Sequence, residues 1–201
     1  METAKLQRNI RLYYFFEIFS EPLFWGAILI YYLKQVSDMS LSELYQMESI
    51  CLIVFIFWEV PSGALADLLG YRKTIFTGRS ILFIHSVVFA FANSLLLVWT
   101  GNLLWAIGQP LVSGADSALI YDTLKALGRE KEFKKITGRA KSYRFLVLAL
   151  SALATGFLTE VHLRLGPWLS LIFLILNLVA CWLFIEPPRF ECDSLEEFKP
   201  E

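Results

Sequence analysis

Residues 59–73 read Glu59-Val60-Pro61-Ser62-Gly63-Ala64-Leu65-Ala66-Asp67-Leu68-Leu69-Gly70-Tyr71-Arg72-Lys73. Ahead of them, Ile50 to Trp58 is an apolar run without a charge. The chain then passes an acid and a glycine and reaches two adjacent cations, the pattern of a helix leaving a membrane for water. Gly63 reads as a point of close helix packing, Gly70 as a turn, and Asp67 as an acid among cations.

Outward from this stretch the apolar pattern repeats. Of 201 residues 56% are hydrophobic and 18% charged, and mean hydropathy is +0.54. Soluble domains rarely combine so little charge with so many aromatics. A net charge of −1 offers nucleic acid no electrostatic footprint. Six stretches meet or approach the roughly 20 apolar residues that a bilayer core demands: 12–33, 44–66, 74–92, 95–122, 143–160 and 167–185. The expected fold is therefore all-α, a polytopic membrane protein with six transmembrane helices and the lipid bilayer as its solvent. Residues 1–11 form an N-terminal segment, 12–186 the membrane domain and 187–201 a tail. The first apolar run is too long for a signal peptide and ends without a small-residue cleavage site, so it reads as a retained span. The fourth stretch, about 40 Å as a helix, must tilt or project.

Orientation follows from Lys and Arg, which stay on the cytoplasmic side. Lys5, Arg8 and Arg11 precede the first span, and Arg72, Lys73 and Arg79 surround the second link. Lys125 to Arg144 holds eight cations between the fourth and fifth spans, and Arg189 and Lys199 follow the sixth. Of the 18 basic residues, Lys34 and Arg164 alone fall on the other side. Both termini are expected in the cytoplasm, with the chain in the cell membrane.

Charges inside spans are expensive and mark function. Glu17 and Glu21 sit at i and i+4, one above the other on a helix face. Pro22 would loosen the local ladder. Two acids so close resist simultaneous ionisation, so they read either as a proton or cation site or as partners of a cation such as Arg144 that fixes helix packing. Glu59 shares a face with Gly63 and Asp67 and either lines a pathway or bridges to a neighbouring helix. Asp116 lies deep in the fourth span, near Ser113 and Ser117, with Pro110 and Gly114 to loosen the backbone. It is a cavity candidate; Asp122, about 240° around the helix, has a different task. His85 reads as a packing histidine. Cys51, Cys181 and Cys192 are scattered, and no Cys or His pair has ligand spacing, so neither a metal nor a cofactor is expected.

Gly63 to Lys73 resembles the signature loop of the major facilitator superfamily, Gly-x-x-x-Asp-x-x-Gly followed by basic residues. Glu59 to Gly63 and Ser113 to Asp122 resemble a bacterial branch of it, and the similarity covers nearly the whole chain. The resemblance implies the N-terminal half of a permease, six helices as a 3+3 inverted repeat. It implies that Asp67, Arg72, Lys73 and Asp122 form a charge network latching the cytoplasmic helix ends in one state of alternating access. Tyr71 stands where a basic residue is common, and the fifth span lacks a Gly-Pro motif, which disfavours drug/proton antiport.

Family members carry twelve spans, so the expected partner is either a second six-helix half or another copy of this chain. The expected function is secondary active transport of a small molecule or ion, with proton coupling. The other reading is a non-transporting membrane subunit, scaffold or inert truncation. An enzyme is not expected, since the sequence holds no His-Glu-x-x-His, Gly-x-Ser-x-Gly or Cys-His pairing.

Overall fold

Ser40-Leu41-Ser42-Glu43 starts a 29-residue apolar helix with a capping box: the Ser40 hydroxyl accepts from the Glu43 amide, and the Glu43 carboxylate accepts from the Ser40 amide at 2.8 Å. A computed structural model describes residues 2–188. The tail expected from 187 lies, from Arg189 onward and including Cys192 and Lys199, outside the described residues.

The helices are α1 (Glu2–Ile18), α2 (Leu29–Ser37), α3 (Leu41–Leu69), α4 (Tyr71–Ala90), α5 (Leu95–Val112), α6 (Ala115–Ala126), α7 (Phe133–Val161) and α8 (Leu165–Leu183). Two 3-10 turns, Gly26–Ile28 and Glu130–Glu132, precede α2 and α7. The described residues contain no strand. Four segments are long and apolar enough to cross a membrane: Leu41–Leu69, Leu95–Ala126, Glu130–Val161 and Leu165–Leu183. The stretches 12–33 and 74–92 fall short of that standard. The first is split between α1 and α2, and the second is α4, whose apolar content is diluted by Lys73, Arg79, His85 and several hydroxyls.

Two expected helices are broken where the sequence weakens the ladder. Pro22 lacks an amide hydrogen and disfavours helical geometry at Glu21, and the chain is irregular from Phe19 to Trp25. Glu17 therefore lies in the last turn of α1 while Glu21 stands in the break, so the two do not stack on one helix face as the i, i+4 spacing suggests. In the fourth stretch the helix stops at Val112 and restarts at Ala115, across Gly114 with φ +83°. Pro61, by contrast, is carried inside an unbroken α3. There the Ser62 hydroxyl lies 2.7 Å from the Glu59 carbonyl and 3.1 Å from that of Pro110, tying α3 to α5.

α4 is the hub. Residues from it enter both apolar clusters: Ile75 and Leu82 join Tyr13, Phe16, Leu119 and Phe184, while Phe89 joins Trp25, Tyr32 and Met47. Against α5 its backbone comes close through Gly78 and Gly108. A Cβ on Gly78 would stand 2.9 Å from the Gly108 carbonyl, and one on Gly108 would stand 3.1 Å from the Gly78 carbonyl. Gly63 has no such role, because nothing lies within 4 Å of a Cβ there. It sits on the exposed side of α3, so the close packing expected of it belongs to this other pair.

Against α8, α4 runs antiparallel and the two helices cap each other. The Glu186 carboxylate, just past α8, accepts from the amides of Tyr71 at 2.7 Å and Arg72 at 2.8 Å. Arg72 Nη2 donates to the Trp182 carbonyl at 2.7 Å. At the opposite end Arg164 Nη2, just before α8, donates to the Ala92 carbonyl at 2.8 Å. Acid thus meets a helix N-terminus and cations meet C-terminal carbonyls, the signs that helix dipoles favour. The long helices α3 and α7 instead leave broad apolar faces exposed, with Phe57, Val60, Leu153 and Phe157 each more than 70% accessible.

Gly108→Val would force a branched side chain onto the Gly78 carbonyl. The expected loss is about 1–3 kcal/mol, read as a lower melting temperature of the detergent-purified protein. Gly63→Val should leave that temperature unchanged.

Candidate functional site

In a membrane every backbone group released by a helix break needs a partner within the protein. The break at Phe19–Trp25 finds its partners on three other helices. Asn177 of α8 donates to the Phe16 carbonyl at 2.7 Å, and Arg79 of α4 donates to the Ser20 carbonyl at 2.7 Å. Ser170 of α8 accepts from the Phe24 amide at 3.0 Å, and Thr155 of α7 donates to the Phe24 carbonyl at 3.0 Å. Ser20 itself turns back to the Glu17 carbonyl at 2.8 Å. Gly166 is required here, since a side chain would collide with the Phe24 carbonyl.

A charge cluster surrounds the break. Glu17 is buried, with 2% of its side chain accessible, and its Oε2 lies 3.3 Å from Arg144 Nη1. The same nitrogen lies 3.9 Å from Glu21 Oε1, so one guanidinium serves two acids. Arg79 is also buried, and its guanidinium carbon sits 4.7 Å from the centre of the Phe16 ring, a cation–π arrangement. Asp116, in the first turn of α6, feels the fields of Arg79 and Lys141, and Glu17 feels those of Asp116, Arg144 and Arg79. Arg79 Nε and Arg144 Nε are buried here without a hydrogen-bond partner among the described residues. Chemically, this is a set of acids held at short range by shared cations, able to exchange one ionic partner for another.

On another side of the break lies a cavity of about 240 Å³ whose walls come from the first-span segment, α3, α4, α5 and α8. Glu21, Trp25, Glu48, His85, Asn102 and Trp105 are among the side chains lining it. Glu48 Oε1 accepts from Asn102 at 3.1 Å. His85 Nδ1 lies 2.8 Å from the Gly101 carbonyl. A carbonyl only accepts, so Nδ1 carries the hydrogen and, in the neutral ring, Nε2 keeps its lone pair. His85 is thus the satisfied, buried histidine expected.

The structure brings together Glu17, Glu21 and Asp116 but not Glu59. Glu59 is exposed on α3 beside Phe57 and Val60, and among the described residues its side chain makes neither a hydrogen bond nor an ion pair. At the loop, Gly70 has φ +99°, and a Cβ there would meet the Glu186 carboxylate at 3.0 Å. Asp67 and Lys73 are exposed and Asp122 is buried. Beside Asp122, Asn9 Nδ2 bonds Thr123 at 3.1 Å and the Ile185 carbonyl at 2.7 Å, while its Oδ1 accepts from the Ile185 amide at 2.9 Å. One buried amide so joins α1, α6 and the end of α8.

Four residues escape a reading of the sequence. Arg79 looks like part of the loop charge, yet seven residues of helix carry it about 10 Å from Arg72. Glu48 falls at the start of a span, where an acid looks interfacial, although its spacing of 11 from Glu59 already places both on one face. Asn102 and Asn9 carried no signal beyond being amides in apolar or basic surroundings.

Residues 4–192 match the model of the LacY proton/sugar symporter family, and the chain belongs to that family. It is a multi-pass membrane protein of the major facilitator type. Among its relatives, an uncharacterized transporter of Buchnera aphidicola is 26% identical over 72% of this chain and 35% of its own length. The uncharacterized MFS-type transporter YxaM of Bacillus subtilis is 25% identical over 75% of this chain and 37% of its own. A segment of the MFS-type transporter ppzB of Metarhizium majus is 33% identical over 34% of this chain. The matched segment thus spans little more than a third of the first two relatives.

Arg79→Met should leave the Ser20 carbonyl without a donor and cost about 1–3 kcal/mol, seen as a lower melting temperature in detergent. Hydrogen exchange at residues 19–25 should rise in the same variant, because the break loses one of its side-chain partners.

Proposed function

We propose that this chain supplies half of the pathway of a secondary active transporter that moves a small polar solute, with a sugar as the family name suggests, together with a proton. The observation that carries this reading is the buried Glu17–Arg144 contact at 3.3 Å, set on a broken membrane segment beside a cavity. Broken spans with irregular backbone turned to a cavity are how transporters place solute and ion sites at membrane depth. Buried acids sharing cations suit an exchange in which a proton replaces an arginine on a carboxylate.

In this reading six elements cross the cell membrane as a 3+3 inverted repeat. The broken α1–α2 segment and α4 join the four long helices, and both termini are cytoplasmic. The exposed faces of α3 and α7 meet a second six-helix half, or a second copy, to enclose the pathway. Alternating access is a rocking of those halves, and the Gly70 loop with Asp67, Arg72, Lys73 and Asp122 is the latch at their cytoplasmic ends. Glu17, Glu21 and Asp116 are the coupling candidates, with Arg144 the cation they share.

Solute-driven proton uptake in proteoliposomes tests the reading. Glu17→Gln should lower coupled uptake at least about tenfold, the equivalent of 1.4 kcal/mol, at equal amounts of inserted protein. Uptake by the purified chain alone assigns the second half to another copy. Uptake only when a separate six-span segment is co-expressed assigns it to that segment. Proton movement indifferent to Glu17→Gln, Glu21→Gln and Asp116→Asn alike overturns the coupling.

A further inference from the structure

The cavity beside the break holds an acid that the charge cluster does not serve. Glu17 and Glu21 share Arg144, but Glu48 makes no ion pair among the described residues. It accepts from the side-chain amide of Asn102, a neutral donor at 3.1 Å, and is only partly accessible. A carboxylate in such a place calls for a positive group. The same walls supply aromatic surface. Trp105 stacks on Phe55, 5.6 Å between centres and 22° between planes, which holds its indole in place. Trp25 is 2% accessible and is steadied edge-on by Phe89 at 5.3 Å. Indole faces attract cations.

The rest of the lining adds hydrogen-bonding groups: Ser86 of α4 and Gln109 of α5 suit hydroxyls on a ligand. The volume, about 240 Å³, is below the roughly 300–1,000 Å³ of pockets for drug-sized molecules. That volume suits one small ring.

We propose that this cavity binds a small hydroxylated organic cation, such as a protonated amino sugar, with its ammonium on Glu48 and its hydroxyls toward Ser86 and Gln109. Asn102 positions the Glu48 carboxylate, and Trp105 offers the aromatic wall. This deepens the solute-transport reading, on which the cavity's purpose rests, by assigning charge and size to the solute. Binding itself needs no second half and no flux.

Glucosamine and glucose share a ring and differ by one ammonium, so they isolate the proposal. Each is titrated into the full chain in detergent below neutral pH, by calorimetry and by shift of melting temperature. Glucosamine should bind at least about tenfold more tightly than glucose, a difference of 1.4 kcal/mol. Glu48→Gln should abolish that preference, and Glu48→Asp should retain part of it, which also serves if the glutamine variant does not fold. Equal binding of both sugars, with Glu48→Gln without effect, overturns the cationic assignment while leaving neutral-solute transport intact. Binding of neither, with coupled uptake of another solute still present, overturns the cavity as a solute site.

Discussion

A helix broken inside a membrane must have its released backbone groups met, and in this chain that requirement organises much of the bundle. Phe16, Ser20 and Phe24 recruit Asn177, Arg79, Ser170 and Thr155, from three helices distant in sequence. Those contacts bring α4, α7 and α8 to one point. They also fix where the charges fall, because the arginine that meets Ser20 is the one whose field reaches Asp116 and Glu17. The break and the charge cluster are thus one construction. Removing the irregular segment would leave Arg79 buried without its carbonyl partner.

Around this point the acids divide into two settings. Glu17 and Glu21 share the Arg144 guanidinium, which ties α7 to the first-span segment, and Asp116 lies within reach of the same cluster's fields. Glu48 sits among an amide, two indoles and a histidine whose hydrogen is already committed to Gly101. The first setting suits a group that trades one cation for another, the second a group that meets something arriving from outside. Pro22 separates the two by holding the chain irregular between Glu17 and the cavity wall at Trp25.

Much of the class was legible in the sequence, for physical reasons that also explain the rest. Long apolar runs such as Leu41–Leu69 announce themselves because a bilayer requires length, and the acid–glycine–cation loop at 67–73 marks an interface. Pro22 signalled weakness, but the extent of the break depends on Thr155 and Ser170, more than 130 residues away. The i, i+4 rule then misplaced Glu21, since it assumes a helix that ends at Ile18. Arg79 was assigned to the loop because linear proximity to Arg72 and Lys73 hides the rise of a helix. Gly63 and Gly108 look alike in sequence; only the approach of another backbone separates an open glycine from a packed one. Glu48 and Asn102 face each other across two helices, a pairing that no spacing along the chain reveals.

The reciprocal capping of α4 and α8 bears on where this folding unit ends. α8 stops at Leu183, yet Glu186 reaches back to seat the first turn of α4, and Asn9 holds both backbone groups of Ile185. Phe184, Ile185 and Glu186, just past the last helix, are therefore structural parts of the bundle. A permease rebuilt from separate pieces, or a chimaera joining this bundle to another, needs its junction after Pro187, which is itself buried. A seam placed at the last helical residue would take Glu186 from the start of α4 and Ile185 from Asn9.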